Sequence, residues 1–299
     1  MEIKIVNEVV KEKVATIILS FLRKEKVFHI FGIPGGYTFG ISNELHEFPD
    51  IKFVQCQHEQ GATFMADGYA RASKNIGVVL VTAGPGLSNT FTGIISAFAD
   101  GIPILLISGA IPKDKMFKGA VQDTESFRVD ISAAFKETTA FQANITYKDN
   151  FLQYFRNAIR YLFKGKVGPV HLNISSDIFS QEVEHRYEYY KLYKDSYISY
   201  QAADRAFDEI LTARSAIIMV GYGVVQSKAQ EQVEELAELL KIPVVTTPKG
   251  KSAFNNESKY YLGIFGAGSN MIPVEYLKNE EVDLVIAIGT TFNEFSSSA

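Results

Sequence analysis

The word Gln57-His58-Glu59-Gln60-Gly61-Ala62 sets a carboxylate and an imidazole side by side. It lies between the stretch at 51–56, which reads as a buried strand, and a run with helical spacing. Glu59 fits two roles. At a strand–helix junction it caps the helix N-terminus, where its charge is favourable by about 0.3–1 kcal/mol. It also projects from the carboxyl end of a strand, where open α/β sheets hold their ligands. Two further strand ends carry glycine-rich turns, Gly-Ile-Pro-Gly-Gly at 32–36 and Gly-Pro-Gly at 84–86. Glycine lets a ligand approach the backbone closely. Three such features along one sheet edge point to a shared crevice. His58 either ties the junction to the backbone or forms a polar wall beside a ligand. No second His, Cys or Asp stands at ligand spacing, which argues against a metal role. Asp67 and Arg71, four residues apart, read as an intrahelical ion pair. Lys113, Lys115 and Lys118 make a basic loop, either simply solvated or suited to an anionic substrate.

The elements that must position these groups alternate between strand and helix, which predicts parallel α/β units. Helix is expected at 12–24, 37–47, 59–73, 84–98 and 150–164. Strand is expected at 27–31, 51–56, 76–82, 103–108, 138–143 and 169–173. In the helix at 59–73, Ala62, Met65, Ala66, Tyr69 and Ala70 share one face. The run IGVVLVT at 76–82 is continuously apolar, the pattern of a strand buried on both faces. These elements make a first domain at 1–180. Residues 181–200 are polar and tyrosine-rich, and read as a linker that packs its tyrosines along a domain surface. A second α/β domain is expected at 201–299, with strands at 216–220, 243–246 and 282–288. Ser227 and Gln230 have capping-box spacing for a helix through Leu240. The last strand is followed by TTFNEFSSSA, so this domain reads as incomplete.

The 299 residues are 46% hydrophobic and 21% charged, a globular composition. Net charge is −4 with no basic block, which excludes an obvious nucleic-acid surface. No apolar run reaches the ~20 residues of a membrane span. The N-terminal 26 residues carry acidic groups before the apolar part and no small-residue cleavage site, so they read as an amphipathic helix rather than a signal peptide. The single cysteine, Cys56, falls in the predicted strand core and reads as packing. Together these features describe a soluble cytoplasmic protein.

FGIPGG, QHEQGATFMADGYARAS and TAGPGLSNTFTGIISAFADGIPILLISG together span 31–109. In type, order and spacing they resemble the pyrimidine-binding domain of thiamine diphosphate (ThDP)-dependent enzymes of the acetolactate synthase type. GYGV, VVTTPKGKSAF, LGIFGAG and VIAIGTTFNE are similar to that group's Rossmann-like central domain. The resemblance implies a doubly wound α/β fold for both domains. It implies that Glu59 is the cofactor-activating acid, hydrogen-bonded to the aminopyrimidine ring nitrogen. By the same resemblance Pro85 and Asn89 line the pyrimidine pocket, and Ile33 and Gly35 lie near the thiazolium. Gln122, in AVQD, faces the reacting centre. Val121 and Asp123 replace the family's phenylalanine and glutamate there, so the substrate pocket differs from the family pattern.

The implied chemistry is decarboxylation of a pyruvate-like 2-oxo acid, followed by protonation or carboligation. The implied assembly is a homodimer or tetramer with the active site between subunits, joined through the helices after Glu59 and Gly86. Two other roles stay open: a ThDP-dependent lyase or carboligase of sugar or secondary metabolism, and a non-catalytic paralogue acting as an assembly module. FAD in the central domain is an alternative that Thr291 argues against, because relatives carry an arginine at that position. The family holds Mg²⁺ and the diphosphate through a Gly-Asp-Gly word and a later asparagine in a third domain. No Gly-Asp-Gly occurs in this chain. The expectation is therefore an N-terminal portion of a longer enzyme, inactive by itself.

Overall fold

The structure, a computed structural model, describes residues 9–123, 130–163, 167–185, 199–279, 281–293 and 296. The chain divides into two compact units, 1–195 and 196–299.

The first unit begins with β1 (Val10–Lys13) and α1 (Val14–Lys24), then β2 (His29–Gly32), α2 (Phe39–Glu44), β3 (Lys52–Gln55) and α3 (Glu59–Ser73). It continues through β4 (Gly77–Val81), α4 (Pro85–Ser88), α5 (Phe91–Asp100) and β5 (Ile104–Ala110). It closes with α6 (Ile131–Ala134), β6 (Phe141–Ile145), α7 (Lys148–Phe163), β7 (Val170–Ser175) and β8 (Glu182–His185). Six strands form one parallel sheet in the order β3-β2-β4-β5-β7-β6. The chain leaves β2 toward β3 on one side and resumes at β4 on the other. The carboxyl ends of β2 and β4 therefore flank a topological switch point, the place where open α/β sheets bind ligands.

Burial follows from sheet position. β4, β5 and β7 are interior strands, and every residue of each is buried. On one face α1 presses Ile17, Ile18, Leu19, Phe21 and Leu22 into a shared core with Phe151, Phe155 and Leu162 of α7. Each such side chain contributes about 1.5–3 kcal/mol on burial. α3 comes close to the sheet because Ala62, Ala66 and Ala70 are small and recur every four residues. Backbones crowd most at Gly32, where a Cβ would stand 1.9 Å from the Leu80 carbonyl oxygen. Gly32→Ala is expected to destabilise the unit by about 2 kcal/mol or more. Urea unfolding followed by circular dichroism measures this, with the midpoint shifted to lower urea.

Several expectations need correction. β3 is an edge strand with its residues half-buried or exposed, not a buried strand. Cys56 falls just after it, half-buried, with its thiol 3.4 Å from the Val54 carbonyl oxygen. Met65 is 46% exposed rather than part of the buried face of α3. The helix expected at 84–98 is two helices, α4 and α5. The stretch expected as helix at 37–47 is one α-helical segment, α2, flanked by 3-10 turns at Gly36–Thr38 and Leu45–Glu47. A two-stranded antiparallel ribbon, β1 with β8, was not foreseen. It lies partly in the stretch read as linker, and a pair between His185 and Glu12 at 2.6 Å ties it. The tyrosines at 187–197 fall outside the described residues.

The second unit comprises α8 (Tyr200–Thr212), β9 (Ala216–Val220), α9 (Tyr222–Ser227), α10 (Gln230–Leu240), β10 (Val244–Thr246), β11 (Tyr261–Ile264), α11 (Met271–Lys278) and β12 (Leu284–Ile288). Its four strands are parallel in the order β11-β10-β9-β12. Gly221, after β9, and Gly289, after β12, lie so close that a Cβ on Gly221 would meet the Gly289 carbonyl oxygen at 2.3 Å. Ser227 does not cap α10. Its hydroxyl donates to the Gly223 carbonyl oxygen, and Ala229 is the residue before the helix. Both sheets bear out the α/β class read from the alternating pattern. Among the described residues, no helix is long and apolar enough to cross a membrane.

Candidate active site

The edge of the six-stranded sheet at the switch point gathers three turns. β2 runs into Ile33-Pro34-Gly35-Gly36, β3 into His58-Glu59, and β4 into Thr82-Ala83-Gly84-Pro85-Gly86. Glu59 is the first residue of α3 and is 9% exposed. His58 precedes it in extended backbone, and its Nδ1 accepts the Gln60 N–H at 3.2 Å. The histidine therefore does the local capping, which bears out its structural role. Glu59 is not needed for that hydrogen bond.

The Glu59 carboxylate faces inward instead. Its Oε2 accepts a hydrogen bond from Asn89 Nδ2 at 2.9 Å, across 30 residues of sequence. Asn89 sits at the end of α4, whose N-terminal turn is Pro85-Gly86. Oε1 lies toward Gly86, 3.5 Å from where a Cβ on that glycine would stand. Thr82 closes the base. A Cβ on Gly35 would meet its side chain at 2.5 Å, and one on Gly86 would meet it at 2.8 Å. The Thr82 hydroxyl is buried and has no hydrogen-bond partner. A buried carboxylate oriented by an amide, an unspent hydroxyl and glycines at 35, 84 and 86 make a cradle that side chains would fill.

Gln122 arrives from a different segment. It is exposed, adopts φ +59°, and packs its Cβ 3.0 Å from where a Cβ on Gly84 would be. Gly84 itself has φ +66°, the left-handed conformation that favours glycine. Ile33 is half-buried and Pro85 exposed on their turns. Thus Glu59, Asn89, Gly35 and Gln122 stand on adjoining turns of one sheet edge. Lys113 places its ammonium 3.8 Å from the Tyr147 ring centroid, so a cation–π contact engages part of the basic loop. Arg71 meets Asp67 at 2.8 Å, as the spacing predicts, and also Asp100 at 2.8 Å, which fastens α3 to α5.

Thr82 and Tyr37 were not singled out from sequence. Thr82 had a usable signal, a hydroxyl ending an otherwise apolar strand at the carboxyl edge. Tyr37 had none.

Residues 12–129 match the family model for the thiamine pyrophosphate enzyme N-terminal TPP binding domain. Residues 203–299 match the model for the thiamine pyrophosphate enzyme central domain. The chain belongs to the thiamine pyrophosphate enzyme family. Similar proteins include the acetolactate synthase large subunit of Haemophilus influenzae, 28% identical over 94% of this chain and 49% of that protein. The acetolactate synthase large subunit of Cyanidium caldarium is 32% identical, over 93% of this chain and 48% of its own length. A probable acetolactate synthase large subunit of Methanocaldococcus jannaschii is 32% identical, over 94% and 48%. The chain spans about half the length of the curated relatives it matches.

Proposed function

We propose that this chain supplies the pyrimidine-binding half of a ThDP-dependent enzyme acting on a 2-oxo acid, with acetolactate synthesis from pyruvate as the leading activity. The observation that carries the proposal is Glu59, buried at the switch point and oriented by Asn89 beside a glycine cradle. When bound, ThDP supplies the nucleophilic carbon that this chain's side chains lack. Glu59 then holds or moves a proton at the aminopyrimidine ring, the work of a positioned carboxylate in general acid–base catalysis. Asn89 fixes the carboxylate rotamer. Gly35, Thr82 and Gly86 shape the wall. Gln122 lies on the substrate side.

The diphosphate of ThDP binds together with Mg²⁺, which needs oxygen ligands of its own. Magnesium prefers carboxylate and phosphate oxygens. Among the described residues, no three His, Cys, Asp or Glu side chains converge as a metal site. Because the chain spans about half of its relatives' length, the metal-binding part is assigned to polypeptide outside these residues, and the cofactor to an interface between subunits. Phe64, Met65 and Ile95 on α3 and α5 are exposed and apolar, which supports a homodimer through those helices. For the central unit, FAD is not part of the proposal.

The test uses the protein expressed from its full reading frame, with pyruvate, ThDP and Mg²⁺. Acetolactate and carbon dioxide are the expected products. Turnover of pyruvate to another carboligation product would retain the cofactor role and replace the synthase assignment. Absence of ThDP binding by calorimetry in that full protein would overturn the cofactor role. Residues 1–299 alone are expected to bind ThDP–Mg²⁺ negligibly in the same calorimeter.

A further inference from the structure

Tyr37 stands on the 3-10 turn Gly36–Thr38, directly after Gly35. Its backbone is wedged against β5, since a Cβ on Gly109 would stand 2.2 Å from the Tyr37 carbonyl oxygen. Its side chain reaches 84 residues along the chain: the hydroxyl donates to the Val121 carbonyl oxygen at 2.6 Å. Burial and the nearby Asp123 carboxylate both push the phenol pKa up, so the hydroxyl keeps its proton and remains a donor.

Val121 immediately precedes Gln122, whose left-handed φ is uncommon outside glycine. The Asp123 N–H donates to the Ala120 carbonyl oxygen at 3.2 Å and closes the turn around it. Gln122 is thus held from two sides, by the Tyr37 bond at the preceding carbonyl and by contact with Gly84. The first anchor follows the β2 turn and the second is the β4 turn. Both flank Glu59.

We propose that Tyr37 is a positioning residue: its hydroxyl latches the 113–123 segment across the Gly84 turn and presents Gln122 at the rim of the Glu59 crevice. The consequence for turnover rests on the proposed cofactor role of that crevice, whereas the latch itself does not. The phenol adds a long-range anchor at residue 121 to a segment also held by Lys113 on the Tyr147 ring and by Gln122 against Gly84.

The test replaces Tyr37 by phenylalanine, which removes one oxygen and keeps the ring. In the 299-residue chain, amide hydrogen exchange at 120–123 and tryptic cleavage after Lys113, Lys115 and Lys118 are expected to rise roughly three- to tenfold. The global unfolding midpoint stays unchanged. In the protein from the full reading frame, Tyr37→Phe is expected to lower kcat/KM for the 2-oxo acid roughly three- to tenfold through KM, with ThDP affinity unchanged. In a Gln122→Ala background the same substitution adds nothing, because the latch acts through Gln122. Unchanged exchange at 120–123 overturns the latch. A full additional loss in the Gln122→Ala background overturns its action through Gln122. If Glu59→Gln leaves turnover intact in the same protein, the cofactor role of the crevice fails, while the exchange data still decide the latch.

Discussion

Glu59→Gln, in the protein from the full reading frame, should slow exchange of the thiazolium C2 proton by roughly a hundred- to ten-thousand-fold, the range of a positioned general acid–base group. The substitution keeps shape. Asn89 Nδ2 still finds an oxygen to donate to at the position of Oε2, and the glycine at 86 still leaves room beside the other terminus. What is lost is a carboxylate able to give and take a proton. The structural role predicts something different. As the first residue of α3, Glu59 contributes a favourable charge near the helix N-terminus of about 0.3–1 kcal/mol. If that were all, the variant would melt slightly lower and exchange at the same rate. His58 already supplies the side-chain cap, accepting the Gln60 N–H, which weakens the purely structural case. NMR of C2 deuteration separates the two roles, and calorimetry of ThDP binding checks that the variant still loads. An unchanged exchange rate with normal loading would refute the assignment of Glu59.

Some of this site was legible because local sequence and global fold agree. IGVVLVT is apolar without alternation, and β4 is buried at every residue between β2 and β5. The helix expected at 59–73 is α3 with the same limits, because the spacing of Ala62, Ala66 and Ala70 already encodes a close sheet contact. The turns after β2 and β4 announced themselves by glycine. What stayed hidden depends on partners far along the chain. The β1–β8 ribbon joins Val10 to His185, and its alternating charged residues resemble a solvated linker until the partner strand is known. β3 holds apolar Phe53 and Val54 in a stretch that reads as buried, but edge position is set by strand order, which local pattern does not carry. The break between α4 and α5 falls at Asn89 and Thr90, where Asn89 turns toward Glu59. Tyr37 illustrates the limit most sharply, since its partner is a backbone carbonyl at 121, and backbone carbonyls have no sequence signature.

Acid should destabilise the first unit well before its carboxylates titrate, and His171 is the reason. It lies on β7, completely buried, against the Phe135 ring at 4.8 Å between centroids. Its Nε2 is 2.8 Å from Ser108 Oγ, and that hydroxyl donates in turn to Asn173 Oδ1 at 2.8 Å. The hydroxyl proton is therefore committed, so Nε2 carries the imidazole hydrogen and donates it. Nδ1 is left bare, buried and without a partner. A second proton would sit at Nδ1 with nothing to accept it. Burial accordingly lowers the pKa of His171 from 6.5 to about 3.

The sign follows from linkage. The unfolded chain takes up a proton at this histidine as pH falls below about 6.5, and the folded chain does not until about pH 3. Stability is complete above 6.5 and is lost across that window, at about 1.4 kcal/mol per pH unit once the unfolded form is fully protonated. Between pH 6.5 and 4.5 the loss should reach about 2 kcal/mol. Glu44, where burial raises the pKa but hydrogen bonds from Lys13 and Thr16 and the Lys13 charge bring it below the ordinary value, loses its stabilising contribution only as pH falls below 4.5. Between pH 6.5 and 4.5 only the His171 contribution of these two is being lost. His171→Gln keeps an N–H that can donate to Ser108 and cannot be protonated. Urea midpoints at pH 6.5, 5.5 and 4.5 should fall for the wild-type chain and stay level, at this site's share, for the variant. His171→Asn gives the same slope test if the glutamine packs poorly. An identical acid slope in wild type and both variants would remove His171 as the cause and shift it to groups outside this strand.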